Sequence, residues 1–359
     1  MKSMPLDNRK GQKQKKTIRI GVAGLGRIGW SFHCAQIAGH GDFQLAAVTD
    51  RDEARCREAE ETHQCAAFKS YDAMVRRGSL DAVVIATPTH LHKTMALSAL
   101  RNGLHVFLEK PMAPNVRDAR IIVEAATQAK KVLTIYQPHR AAAYFQHLLK
   151  IIDSGKIGAV YHIRRGAFGY VRRDDWQSLR KYGGGMLSNY GAHYLDQLLN
   201  LTGSKVKRVF CQLRQVATLG DADDVVKIIY ETGDGVTAEL DINMGSAIAP
   251  YELEVYGTRG AIVLSKQVFT VRFFSAKELP RKQLNPDLAS EGRKYPADKN
   301  PFHEKTIPVD PRLAVDVYAD LAKAIRTGCA PFVQPRETLA LMEVMEQCRK
   351  DSGGIVDSR

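Results

Sequence analysis

The sequence predicts an α/β protein of two domains: a doubly wound parallel sheet, then an α+β unit with an antiparallel or mixed sheet. Three observations carry this. From Thr17 to about Gln137, near-continuous apolar strand-like runs alternate with helical patterns, the order that builds a parallel sheet covered on both faces. After Pro138 the texture changes. From Val206 to Thr270 strand patterns succeed one another around turns at Gly233-Asp234-Gly235 and Gly257–Gly260, and strands without intervening helices pair antiparallel or in mixed fashion. Finally, 359 residues exceed one ordinary domain.

Taken in order, residues 1–16 hold six Lys/Arg, one Asp and almost no apolar side chain. They read as a disordered basic arm, and without an apolar stretch they are not a secretory signal. The first domain spans 17–138, with strands at 18–23, 43–49, 81–87, 104–108 and 132–136 and helices near 27–38, 52–63, 90–101 and 115–130. Asn102-Gly103 closes the third of these helices, a position where glycine is favoured.

The second domain spans 139–359, and its last helices are free to pack back on the first. A helix over 141–154 ends at Ser154-Gly155, and a polar, aromatic stretch follows from Gly166 to Tyr182. After Gly183-Gly184-Gly185 comes a helix over 186–201, then the strands within 206–270. Residues 275–308 are polar and contain proline, the signature of a long loop, before helices over 311–327 and 335–350.

Composition sets bounds. The net charge of +13 suits anionic cofactors or substrates without requiring them, and charge alone gives little support to nucleic-acid binding. No run of about 18 apolar residues exists, so no membrane span is expected. The six cysteines, at 34, 56, 65, 211, 329 and 348, are scattered without C-x-x-C. Neither a metal site nor a disulfide framework follows, and a reducing cytoplasm fits.

The strand at 18–23 runs into Gly24-Leu25-Gly26-Arg27-Ile28-Gly29, which opens a helix. In that context G-x-G-x-x-G has a mechanism: a tight turn, a close approach to pyrophosphate, and close helix–strand packing. The helix N-terminus faces the phosphates. Asp50 ends the next strand, about 20 residues on, where an acid binds the adenosine ribose. A carboxylate there favours NAD, and Arg51 beside it keeps NADP as an alternative.

Two further strand ends carry polar groups to the ligand edge of the sheet: Thr87-Pro88-Thr89-His90-Leu91-His92 and Glu109-Lys110-Pro111. A partly buried ammonium at Lys110 stabilises a forming alkoxide. In the helix over 186–201, Asn189, His193 and Gln197 share one face. An imidazole there is suited to remove a hydroxyl proton near neutral pH. Tyr170 and Trp176 offer aromatic faces for stacking, and Arg172, Arg173 and Asp175 offer polar contacts.

On these segments, with Gly183 to Asp196 and the Gly257-Thr258-Arg259-Gly260 turn, the chain resembles the Gfo/Idh/MocA family of NAD(P)-dependent oxidoreductases. The resemblance spans nearly all of residues 17–350. It implies a Rossmann domain, a second domain with a large open sheet used for oligomerisation, and hydride exchange with a sugar, inositol or related polyol. Lys110 matches the family lysine at the reacting hydroxyl and His193 its acid/base histidine, while Arg140 sits near a substrate-side arginine. Through the same resemblance Gly24, Gly26, Arg27, Ile28, Gly29, Asp50, Arg51, Thr87, Pro88, His92, Glu109 and Lys110 are expected at the cofactor. Lys110, Arg140, Tyr170, Arg172, Trp176, Asn189 and His193 are expected at the substrate.

Asn189 stands where the family often has Asp, and Thr89 where it often has Asn. Two other activities known among relatives remain alternatives: elimination or glycoside cleavage through transient oxidation, and a non-catalytic NAD sensor. An uncovered sheet face is expected to expose apolar side chains, so a homodimer or homotetramer is expected through strands within 206–273.

Overall fold

The structure, a computed structural model, describes residues 16–203, 205–286 and 300–358. The expected basic arm, apart from Lys16, lies outside the described residues. The N-terminal sheet contains β1 (Ile18–Ala23), β2 (Phe43–Thr49), β3 (Ala66–Ala67), β4 (Ala82–Ile85), β5 (His105–Leu108) and β6 (Leu133–Ile135). All pair parallel, in the order β3-β2-β1-β4-β5-β6. Around it lie α1 (Ala35–Gly39), α2 (Glu53–His63), α3 (Tyr71–Arg77), α4 (His92–Arg101) and α5 (Val116–Ala129). Helices on both faces bury all four residues of β4, which is why that strand reads as an unbroken apolar run.

Side-chain caps set the helix starts. Asp52 accepts from the Ala54 N–H, Ser70 from Ala73 and Asn115 from Asp118. The sequence reading lacks β3 and α3. Two alanines and a seven-residue helix are too short to show a period. The helix expected at 27–38 is instead a π-helical turn, Gly29–Cys34, running into α1.

The second unit begins with α6 (Pro138–Ala141) and α7 (Ala143–Asp153), followed by β7 (Val160–Phe168) and α8 (Ala192–Thr202). Then come β8 (Val206–Gln215), β9 (Val225–Thr232), β10 (Thr237–Asn243), β11 (Leu253–Gly257), β12 (Gly260–Ser265), β13 (Val268–Phe273) and β14 (His303–Pro308). The chain ends in α9 (Val317–Thr327), α10 (Pro335–Asp351) and β15 (Ile355–Asp357). The nine strands run β14-β13-β12-β11-β7-β10-β9-β8-β15, parallel at β7–β10 and β8–β15 and antiparallel elsewhere.

Three expectations are corrected here. β7 is a central strand, hidden in the sequence because Arg165 occupies an inward, buried position. The long loop expected over 275–308 ends in β14, an exposed edge strand whose charged residues give no apolar signal. The helix expected from 311 is a single 3-10 turn at Pro311–Leu313, with α9 starting only at Val317, capped by Asp316.

Helices α7, α8 and α10 cover the inner face of this sheet. Phe145, Leu148, Leu195, Leu198, Leu341 and Met345 pack there with Ile163, Val226, Ile228, Leu240 and Val255. Burying a side chain of this size stabilises the fold by roughly 1.5–3 kcal/mol. Helix α9 returns to the first domain, where Tyr318, Leu321 and Ala322 join Ile20, Phe43 and Leu45.

The outer face differs from the apolar surface expected. It carries a His162–Glu239 contact (3.3 Å) and ion pairs of Arg164 with Glu254 (2.8 Å) and of Lys227 with Glu239 (3.0 Å) and Asp241 (3.1 Å). Strict alternation put the charged members of each strand outward.

Candidate active site

The glycine turn joins β1 to the π-helical turn, and its three glycines face different constraints. Gly24 has φ +90°, and a Cβ there would lie 2.6 Å from the Ala86 carbonyl oxygen. A Cβ on Gly29 would meet the Gly24 oxygen at 1.8 Å. Around Gly26 nothing lies within 4 Å of that position, so the backbone there faces open space. Asp50, at the end of β2, accepts from the Leu25 N–H at 2.6 Å and the Asp52 N–H at 2.9 Å. The acid therefore braces the turn. Arg27 and Arg51 are exposed, and Ile28 is 43% exposed. Open backbone over a glycine, a helical N-terminus and an acid at the neighbouring strand end fit a dinucleotide.

Two expected cofactor residues turn inward instead. His92 is buried, with Nε2 2.9 Å from the Thr87 oxygen and Nδ1 3.0 Å from the Pro111 oxygen. It ties the Thr87-Pro88 loop to the Lys110-Pro111 turn rather than facing a ligand, and burial lowers its pKa. Glu109 is buried as well: one oxygen meets His33 Nε2 at 3.1 Å and the other accepts from the Lys110 N–H at 3.0 Å. Both brace the loops at the strand ends. Thr87 donates its hydroxyl to the Met95 sulfur at 3.2 Å.

Lys110 reaches across to the second domain. Its ammonium donates to the Asn189 side-chain oxygen at 2.8 Å and main-chain oxygen at 3.2 Å. The Asn189 amide nitrogen lies 3.4 Å from Gln177 Oε1. Asn189 belongs to a π-helical turn, Leu187–Gly191, that precedes α8, so the straight helix expected over 186–201 is broken there. The glycine run feeds this turn. Gly185 has φ +105°, and Asp223 caps it by accepting the Leu187 N–H at 2.7 Å. Burial raises the Asp223 pKa to about 6.

His193 sits at the start of α8 and is buried. Its Nδ1 lies 3.1 Å from Gln137 Oε1, and its ring is 4.5 Å from that of His139. Gln137 and His139 are residues the sequence reading did not select. The available signal was their position just after β6, at the ligand edge of a parallel sheet. Gln197 is buried and donates to the His139 oxygen and the Tyr144 hydroxyl.

Arg140 departs from its expected substrate role. It is 4% exposed, and Nε and Nη2 bind both oxygens of Asp196 at 2.9 and 2.5 Å while Nη1 binds Glu337 at 2.5 Å. Its donors are spent on an ion cluster between α6, α8 and α10. Arg172, Tyr170 (62% exposed) and Trp176 (44% exposed) stand at the surface. Arg173 pairs with Asp175 at 2.7 Å.

The electrostatics follow from burial among cations. Desolvation lowers the Lys110 pKa to about 8; Glu109 opposes this and Arg173 adds to it. Burial, then Lys110 and His139, holds His193 well below the ordinary histidine value. Burial, Arg165 and Lys110 lower His139 to about 4. At neutral pH the site therefore holds a neutral imidazole near an ammonium. That pair accepts a proton at one point and stabilises negative charge at another.

Comparison with known proteins matches the same two units. Residues 18–137 match the family model described as an oxidoreductase family with an NAD-binding Rossmann fold, and residues 145–263 match the GFO/IDH/MocA C-terminal domain. The chain belongs to the Gfo/Idh/MocA oxidoreductase family.

Among Gfo/Idh/MocA relatives, inositol 2-dehydrogenase of Rhizobium meliloti is 28% identical over 264 residues, 70% of this chain and 76% of that protein. The 2,7-anhydro-N-acetylneuraminate hydratase of Escherichia coli is 27% identical over 265 residues, 70% of this chain and 68% of that protein. An NAD-binding protein from Listeria innocua superposes with a TM-score of 0.80 at 25% identity, covering 94% of this chain and 95% of that one. The chain is an oxidoreductase whose first domain is the NAD-binding fold of the family.

Proposed function

We propose that the chain is an NAD-dependent dehydrogenase acting on a hydroxyl of a sugar, an inositol or a related polyol. The observation that carries this is a neutral His193 at the start of α8, held by Gln137, near the Lys110 ammonium of the turn after β5, which lies on the same sheet edge as the open glycine turn. Gly24, Gly26, Gly29 and Asp50 hold the cofactor, with Thr87 and Pro88 along its path. When bound, NAD supplies the nicotinamide carbon that accepts a hydride. His193 removes the hydroxyl proton, Lys110 holds the oxygen and stabilises the negative charge that gathers there, and the carbon–oxygen bond becomes a carbonyl. Asn189 fixes the Lys110 ammonium and orients the substrate; Tyr170, Arg172 and Trp176 flank it from the exposed 170–176 segment.

A second reading is the alternative expected from the family resemblance, in which oxidation is transient and is reversed after an elimination; a relative named as a hydratase keeps it open. The two readings separate in one assay. A panel of inositols, aldoses and sugar acids is incubated with NAD, and free NADH is followed at steady state. Stoichiometric release supports the dehydrogenase. Substrate loss without net NADH supports the second reading. The assembly belongs to the proposal too: a homodimer or homotetramer through the outer face of the nine-stranded sheet, in the cytoplasm.

A further inference from the structure

We propose that Gln137 is a positioning residue that fixes His193 as its Nδ1–H tautomer and leaves Nε2 as the proton-accepting atom of the site. This rests on the reading of His193 as the base, and it reaches one atom further.

The orientation of the Gln137 amide is decided by its other contact. Its Nε2 lies 3.1 Å from the Ala192 carbonyl oxygen, which only accepts. The amide nitrogen must therefore face that carbonyl; a flipped amide would place two oxygens against each other. The amide oxygen then faces His193 Nδ1 at 3.1 Å, and an amide oxygen also only accepts. Nδ1 carries the hydrogen. A neutral imidazole has one N–H, so the lone pair is on Nε2.

The clamp is built to be rigid. One amide grips the main chain of Ala192 and the ring of the next residue, at the point where the π-helical turn becomes α8. Gln137 is 1% exposed, and its own carbonyl accepts from Arg140 and Ala141 at the start of α6. Both ends are thereby fixed.

Among the described residues, the basic groups that face His193 all push the same way. Lys110 approaches from the turn after β5 and His139 from α6, with Arg165 of β7 beyond His139. On α8 itself, Asp196 spends both oxygens on Arg140. A glutamate at 137 would accept the same hydrogen bond from Nδ1 and stabilise the imidazolium, while losing the donor to the Ala192 carbonyl. The neutral amide orients the ring and leaves it uncharged, ready to take a proton. In this chain Gln137 and Asn189 are both amides, and each supports its partner without adding charge.

The test uses the full-length protein with ¹⁵N-labelled histidine and bound NADH. His193 signals are identified by their loss in His193→Gln. The expected spectrum shows a protonated Nδ1 and an unprotonated Nε2 from neutral pH downward. In Gln137→Glu the His193 titration moves to higher pH. For a substrate that turns over, the acidic limb of the pH–rate profile moves up with it. Gln137→Leu shows mixed tautomers and loses about 10²-fold in kcat.

An Nε2–H spectrum in the parent overturns the proposal, as does a Gln137→Glu protein whose tautomer, titration and acidic limb match the parent. If Gln137→Leu does not fold, the parent and Gln137→Glu spectra still decide. An Nδ1–H spectrum in a protein that oxidises no polyol keeps this inference and removes the dehydrogenase reading. An active enzyme with the Nε2–H spectrum does the reverse.

Discussion

The Lys110 ammonium and the Asn189 side-chain oxygen lie 2.8 Å apart, joining the turn after β5 to the π-helical turn before α8. The partner is neutral, so it positions the ammonium without offsetting the cost of burying it. Burial lowers the Lys110 pKa to about 8, with Glu109 opposing the fall and Arg173 adding to it, and the neutral Asn189 brings no charge against it.

A pH dependence follows with a definite sign. Lys110 is charged below about 8 and loses its proton as pH rises through that value. The oxyanion stabilisation it supplies is present at neutral pH and lost in mild alkali, so kcat falls above about pH 8. Asn189→Asp places a carboxylate against the ammonium and moves this limb upward, with activity at neutral pH retained. Lys110→Ala lowers kcat by about 10²-fold and leaves NADH affinity within a few-fold. Rate profiles and fluorescence titration of NADH measure both.

The glycine turn separates binding from folding. Gly26→Val adds side chain into open space, so Tm stays close to the parent while NADH affinity drops by about tenfold or more. Gly29→Ala drives a Cβ into the Gly24 oxygen and lowers Tm outright. Calorimetry with and without NADH distinguishes the two.

Asp50 is expected to set the cofactor preference. Its carboxylate at the end of β2 repels a 2′-phosphate, so NAD is expected to bind more tightly than NADP. Asp50→Ala narrows that difference and also loosens the turn that Leu25 N–H anchors. Parallel titrations with the two cofactors check this.

Arg140 is expected to act on stability. Arg140→Met leaves Asp196 buried without its partner, and breaking such a pair costs about 3–5 kcal/mol. Turnover per folded molecule, measured well below Tm, stays near the parent value. A large loss of kcat at unchanged Tm would return Arg140 to the substrate.

Much of the first domain was legible because its signals are local. The glycine turn, Asp50 and Lys110 lie at ends of apolar strands, and strand ends of a parallel sheet are where ligand groups emerge. His193 was legible from the helix after the glycine run. Its partner was not: Gln137 lies 56 positions away in sequence, and an amide before a proline carries no periodic signal. Arg140 misled for the opposite reason, since a cation beside a candidate site reads as a ligand group until Asp196 and Glu337 are seen to occupy it. Strands β7 and β14 were missed where a buried arginine and an exposed charged edge broke the apolar alternation. The π-helical turns add a residue to a helical turn, which no spacing rule based on regular helices anticipates.

The central claim is that His193 takes a hydroxyl proton while hydride leaves the same carbon for NAD. Deuterium transfer tests it most directly. Polyols deuterated at the carbinol carbons are incubated with NAD and the enzyme, and the nicotinamide is analysed by mass spectrometry. The account predicts singly deuterated NADH accumulating in step with the oxidised product, and its loss in His193→Ala. Unlabelled nicotinamide across the whole panel, or a His193→Ala enzyme that transfers deuterium at the parent rate, would contradict it.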